Sequence, residues 1–163
     1  PDSVKSPRDL LRVASLTRSC DSPPMASSTD QPRGRLRFLE VVFEPRPDGR
    51  AKVSVRMEWR GREIQGDAEG IATREGDLRM GAQASLATIH KVAAGVVEAE
   101  LVGVKAVRAF DAWVVIASVR ARAGEGEYRL LGAKACDDEG ELMRGSAIAV
   151  LDALNRVLEK VLT

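Results

Sequence analysis

One histidine, two cysteines and 4% aromatic residues are a thin supply of reactive side chains for a chain of 163 residues. His90 stands alone, and Cys20 and Cys136 lie in unrelated contexts, so neither a metal-ligand spacing nor a disulfide framework can be drawn. Ser85, Ser118 and Ser146 lack the Gly-x-Ser-x-Gly setting of a nucleophile elbow, and no Walker-type phosphate loop occurs. Gly66, Gly70, Gly76 and Gly81 are spread over a strand, a turn and a helix, which is no cofactor fingerprint. A charge of one sign is missing too: 25 Lys and Arg face 24 Asp and Glu, leaving +1, so the summed field does not draw polyanions and argues against a dedicated nucleic-acid binder. The longest apolar runs, such as Trp113 to Ala117, fall far short of the roughly 20 residues that span a bilayer. The expectation is a cytoplasmic protein that is not an enzyme and holds no cofactor and no metal.

What the chain does have is 44% hydrophobic residues, enough for a real core in a single domain. It also repeats itself. Two units, about 35–94 and 96–162, each carry three strand-like segments followed by one long amphipathic helix. Both helix entries read Glu-Gly-acid-Leu-x-x-Gly: Glu75-Gly76-Asp77-Leu78 to Gly81, and Glu139-Gly140-Glu141-Leu142 to Gly145. A unit that cannot bury its own apolar face folds against a neighbour, so the two copies are expected to form one pseudo-symmetric domain over residues 33–163.

Residues 1–32 differ in kind, being rich in Ser, Pro, Asp and Arg, and read as a disordered tail or mis-included upstream sequence, with Met25 as a natural start. The rival reading is a targeting leader in which Arg8, Arg12 and Arg18 flank Leu10, Leu11, Val13 and Leu16; Asp2, Asp9 and Asp21 weigh against it.

Within the repeats the alternation is clear. Leu36 and Phe38 alternate with Arg35 and Arg37, then Leu39, Val41 and Phe43 continue out of phase, which predicts a bulge or bend. Val53, Val55, Met57 and Trp59 interleave with charged residues, and Gly61-Arg62 closes a hairpin. Ile64, Gly66, Ala68 and Gly70 point inward on the third strand, small enough for a helix to pack closely. Thr73 caps the first helix, and Asp138 with Glu141 forms a capping box at the second. The expected fold class is α+β, with duplicated βββα units forming a pseudo-symmetric antiparallel sheet and two helices on one face.

In the second copy Trp113, Val114, Val115 and Ile116 are consecutive and must point both ways, which leaves apolar surface uncovered. A homodimer is expected, with Trp113, Val115 and Ile116 in the interface. The alternative is a bulge near Phe110 that turns these side chains inward.

The βββα order, the strand entry Asp111-Ala112 and the last helix Ala149-Val150-Leu151-Asp152-Ala153-Leu154-Asn155-Arg156 resemble the C-terminal regulatory, dimerisation domain of 2-isopropylmalate synthases. That resemblance implies a stand-alone allosteric module that dimerises and binds an amino acid or small carboxylate to act on a partner enzyme. It points to Asp111 and Ala112, and to Asp137 and Asp138 ahead of the second helix, as ligand-binding residues. This chain has Arg108-Ala109-Phe110 where the family tends to have Gly and Thr, and keeps the family's acids without its Thr ahead of the last helix. Glu75 and Asp77 complete the candidate set, since a ligand ammonium could pair with them; as ordinary caps and helix-dipole partners they need no ligand. Two other functions stay open. One is RNA binding through the basic hairpin that carries Arg46, Arg50, Lys52, Arg56, Arg60 and Arg62, and the other is a purely structural dimerisation protein.

Overall fold

In the first unit β1 (Arg37–Arg46), β2 (Arg50–Trp59) and β3 (Arg62–Ile71) lead to α1 (Arg74–Val92). In the second, β4 (Val97–Ala109), β5 (Ala112–Ala123) and β6 (Gly126–Cys136) lead through a short 3-10 turn to α2 (Leu142–Val161). The structure, a computed structural model, describes residues 35–162; the expected tail over residues 1–32 lies outside them. The α+β class and the duplicated βββα order are both present.

The strands do not merge into one sheet. They form two three-stranded antiparallel sheets, ordered β1-β2-β3 and β4-β5-β6. Each set is joined by tight hairpins and completes its own ladder, and α1 bonds to both. Lys91 Nζ donates to the Gln65 carbonyl on β3 at 2.5 Å, and the Ala99 amide on β4 donates to His90 Nε2 at 3.2 Å. Two neighbouring residues of one helix end thus satisfy backbone groups on both sheets.

Each sheet gives one face to the helices. On β2 the inward residues Val53, Val55 and Met57 are fully buried, and on β5 so are Val115, Ala117, Val119 and Ala121. Each helix packs on the second and third strands of its own unit and reaches the first strand of the other, and the two helices pack on each other. The Ser85 hydroxyl on α1 donates to the Ala147 carbonyl on α2 at 2.9 Å. The phase change read in β1 is a bulge between Phe38 and Glu40, and β4 has its counterpart between Leu101 and Gly103. The equivalent hairpin turns, Arg60-Gly61 and Phe110-Asp111, both take left-handed backbone, φ 49° and 77° in the first and 52° and 61° in the second. These are the signs required by the right-handed twist of the flanking strands. The second turn has no glycine, a conformation that costs on the order of 1 kcal/mol per residue.

The third strands carry the tightest packing. A Cβ on Gly66 would overlap backbone of α1 at Ala84 and Thr88, and one on Gly132 would overlap backbone of α2 at Ala149 and Ala153. The small inward residues expected on β3 thus have an equivalent on β6. Gly132→Ala and Gly66→Ala are each expected to lower unfolding free energy by about 1–3 kcal/mol or more, because the obstruction is helix backbone that cannot rotate away. Gly103→Ala, where nothing lies within 4 Å, is expected to stay within roughly 0.5 kcal/mol. Urea unfolding of the three variants measures the contrast.

Candidate functional site

The first turns of α1 and α2 lie together, joined by one side chain. Arg74 is the first residue of α1, where a cation opposes the positive end of the helix dipole. Its guanidinium lies 4.5 Å from the centroid of the Trp113 ring and 3.5 Å from the Glu139 carboxylate at the α2 entry. Stacking on an aromatic face and pairing with an acid offset the unfavourable placement. Arg108 approaches the same ring at 6.0 Å.

The caps around this junction follow the sequence. Thr73 Oγ1 accepts from the Gly76 amide at 3.0 Å. Asp138 accepts from the Glu141 amide, and Glu141 in return accepts from the Asp137 amide, both at 3.1 Å. The return bond reaches one residue further back than in the usual capping box. Asp138 therefore has a structural partner.

Two open grooves flank Arg74. One, of about 890 Å³, is walled by Gly70, Ile71, residues 103–106 and Trp113, with Thr73 and Glu75 at its rim. The other, of about 480 Å³, is lined by Phe43, Asp77, Glu139, Gly140 and Met143. Asp77 differs from the capping acids. Its Oδ1 is buried and has no hydrogen-bond partner, and burial raises the carboxyl pKa above the usual carboxylate range. A carboxylate oxygen left in this condition costs roughly 1–3 kcal/mol.

The structure thus sorts the candidate residues. Glu75 and Asp77 line the grooves. Asp111 occupies the left-handed hairpin turn, Ala112 opens β5, and Asp137 and Asp138 belong to the α2 cap; none of these four lines either groove. The interface set also divides. Val115 is fully buried beneath the helices, and Trp113 shares its strand face and walls the larger groove, whereas Ile116 points to the opposite side. Alternation along β5 makes a shared interface of all three impossible: Val115 is a core residue, and Ile116 lies with Val114 on the outer face.

Arg74, Glu139 and the 103–106 segment were not among the expected site residues. A cation at the first position of a helix was the available signal for Arg74. The others are brought in by packing between units, which no local pattern announces.

Other reactive groups have structural places. Cys136 is buried, and burial together with the nearby Glu141 carboxylate raises its pKa, which keeps it a thiol. In the basic hairpin Arg46 pairs with Glu69, Lys52 with Asp67, and Arg56 with Glu40 and Glu63, while Arg60 donates to the Leu162 carbonyl at 3.0 Å. Those acids screen the cations from an incoming phosphate. Among the described residues no cluster of His, Cys, Asp or Glu could hold a metal ion, and no helix is long and apolar enough to cross a membrane. No protein-family model matches the chain, and no curated protein does.

Two carboxylates should respond to pH in opposite directions. Asp77 has a folded-state pKa above its unfolded value, so its charge subtracts stability at neutral pH, and that loss disappears as pH falls below the unfolded value. For Asp67 the Ser54 hydroxyl, the Gln65 amide and then Lys52 hold the pKa below its unfolded value. Its contribution is present above the unfolded pKa and is lost as pH falls through the folded one. Asp77→Asn is expected to raise the melting temperature at pH 7 and to converge with wild type in acid. Asp67→Asn is expected to lower it slightly at pH 7, by less in high salt, because the group is exposed. Melting curves across the acid range measure both.

Proposed function

We propose that the chain is a non-catalytic regulatory module of the cytoplasm that binds a small molecule at the paired helix entries. It works as a homodimer, in the manner of the 2-isopropylmalate synthase regulatory domain that its repeats and last helix resemble. The observation that carries this reading is the Asp77 carboxylate, buried at one oxygen and without a donor in a groove it shares with Arg74 and Glu139. A carboxyl perturbed by burial and lining a groove is a candidate ligand contact.

The charges favour an amino acid or a related small amino carboxylate. A ligand ammonium in the groove between Asp77 and Glu139 pairs with the two carboxylates. The ligand carboxylate takes the Arg74 guanidinium, whose side chain is 52% exposed and can leave Glu139 without breaking core packing. Arg74 borders both grooves and stacks on Trp113 of the second sheet, so moving it alters the contact between the two units. That is a route from ligand to a partner enzyme, and it needs no catalytic group of the module's own.

A thermal-shift screen against amino acids, 2-oxo acids and acyl-CoA compounds, with light scattering on each hit, tests the reading. Amino acids are expected to raise the melting temperature, with stabilisation of about 2.7 kcal/mol at a hundred times the dissociation constant. Asp77→Asn and Arg74→Ala are expected to abolish the rise while remaining folded. A flat screen overturns ligand binding, and a response confined to acyl-CoA compounds overturns the ligand class.

A further inference from the structure

The two sheets present different outer faces to solvent. On the first sheet, cross-strand ion pairs run along the face around a single exposed valine, Val42: Arg56 with Glu40 and Glu63, Lys52 with Asp67, and Arg37 with Glu58. On the second, strand register places three largely apolar rows side by side: Val107, Val114 and Ala135; Lys105, Ile116 and Ala133; Gly103, Ser118 and Leu131. Leu131 is 73% exposed, Val102 beside the bulge 46% and Ile116 37%. The next row is charged, with Glu100 on β4, Arg120 on β5 and Arg129 on β6.

We infer that this face is the seat of the homodimer, two copies packing face to face about a two-fold axis that runs along β5. The inference rests on the dimeric reading above and adds its surface and symmetry. An isologous contact requires one patch to complement itself, and this patch does so about that axis. Rotation about β5 lays β4 of one copy over β6 of the other and keeps each row at its own level. Leu131 then meets Gly103, where a side chain would find open space. Val107 meets Ala135, and Ile116 meets its own counterpart. In the charged row, Glu100 of one copy meets Arg129 of the other, while Arg120 near the axis is held by its own Glu127 at 3.5 Å. The alternative two-fold, in the sheet plane but across the strands at the Ile116 row, stacks Lys105 on Lys105. That pairing desolvates two like charges, and among the described residues Lys105 has no acid partner of its own to offset the cost, whereas Arg120, which meets its counterpart on the β5 axis, keeps Glu127.

The test is charge reversal in the full chain, read by sedimentation equilibrium, with a melting curve on each variant as a check on folding. Leu131→Glu, Glu100→Arg and Arg129→Glu are each expected to weaken association by about tenfold or more. Combining Glu100→Arg with Arg129→Glu is expected to restore it, because the swapped charges again meet their opposites across the axis. A dimeric wild type whose association ignores all four variants overturns this face and leaves the dimer reading standing. A wild type that is monomeric at high concentration overturns both.

Discussion

Everything in this fold depends on how closely each helix lies on the third strand of its unit. At Gly66 and Gly132 there is no room for a single methyl between strand and helix backbone. Contact at that distance fixes the height and rotation of each helix far more tightly than interchangeable apolar side chains would. The helices also meet closely, with Gly81 of α1 against Met143 and Ser146 of α2. Once both helices are seated, their first turns must lie side by side, and Arg74 can reach Trp113 and Glu139 together. The junction is a consequence of the glycines, although no glycine forms it.

The duplicated units have diverged where duplication imposes no constraint. Inside, they keep the same small third-strand residue, the same helix entry and the same bulge in the first strand. Outside, the first sheet bears ion pairs formed within its own face, while the second carries three rows with little charge. A self-paired charged surface is stable in water and has little reason to associate, whereas a partly apolar one gains by leaving it. The tight turns show the same contrast. Arg60-Gly61 uses glycine for part of its left-handed backbone, and Phe110-Asp111 adopts that backbone without any, presenting a fully exposed phenylalanine.

The helix-entry junction is electrostatically uneconomical. Arg74 sits at the wrong end of the helix dipole, and Asp77 keeps a buried oxygen without a donor. A stability optimum would have removed both, since an acid at the first position of the helix and an uncharged group at Asp77 would each cost less. The neighbouring acids show what ordinary capping looks like: Asp138 and Glu141 close a reciprocal pair and need nothing more. The contrast lies between the two helix entries: the acids at the α2 entry are satisfied by each other, while Asp77 on α1 is not.

The sequence by itself determined the repeat, the order of strands and helices, the bulge in β1, the inward glycines of β3 and the caps at Thr73 and Asp138. These follow from side-chain periodicity and from bonds that span a few residues, which are properties of the local chain. It also carried the list of acids at both helix entries, but not which of them lacks a partner. Only the tertiary structure decided that the strands close as two sheets, because His90 and Lys91 must fold back before they can satisfy β4 and β3. Only it decided that Val115 and not Ile116 faces the helices, and joined Arg74 to Trp113 and Glu139, residues 39 and 65 positions further along. Contacts between units depend on how two finished halves seat against each other, and no window of sequence contains both halves.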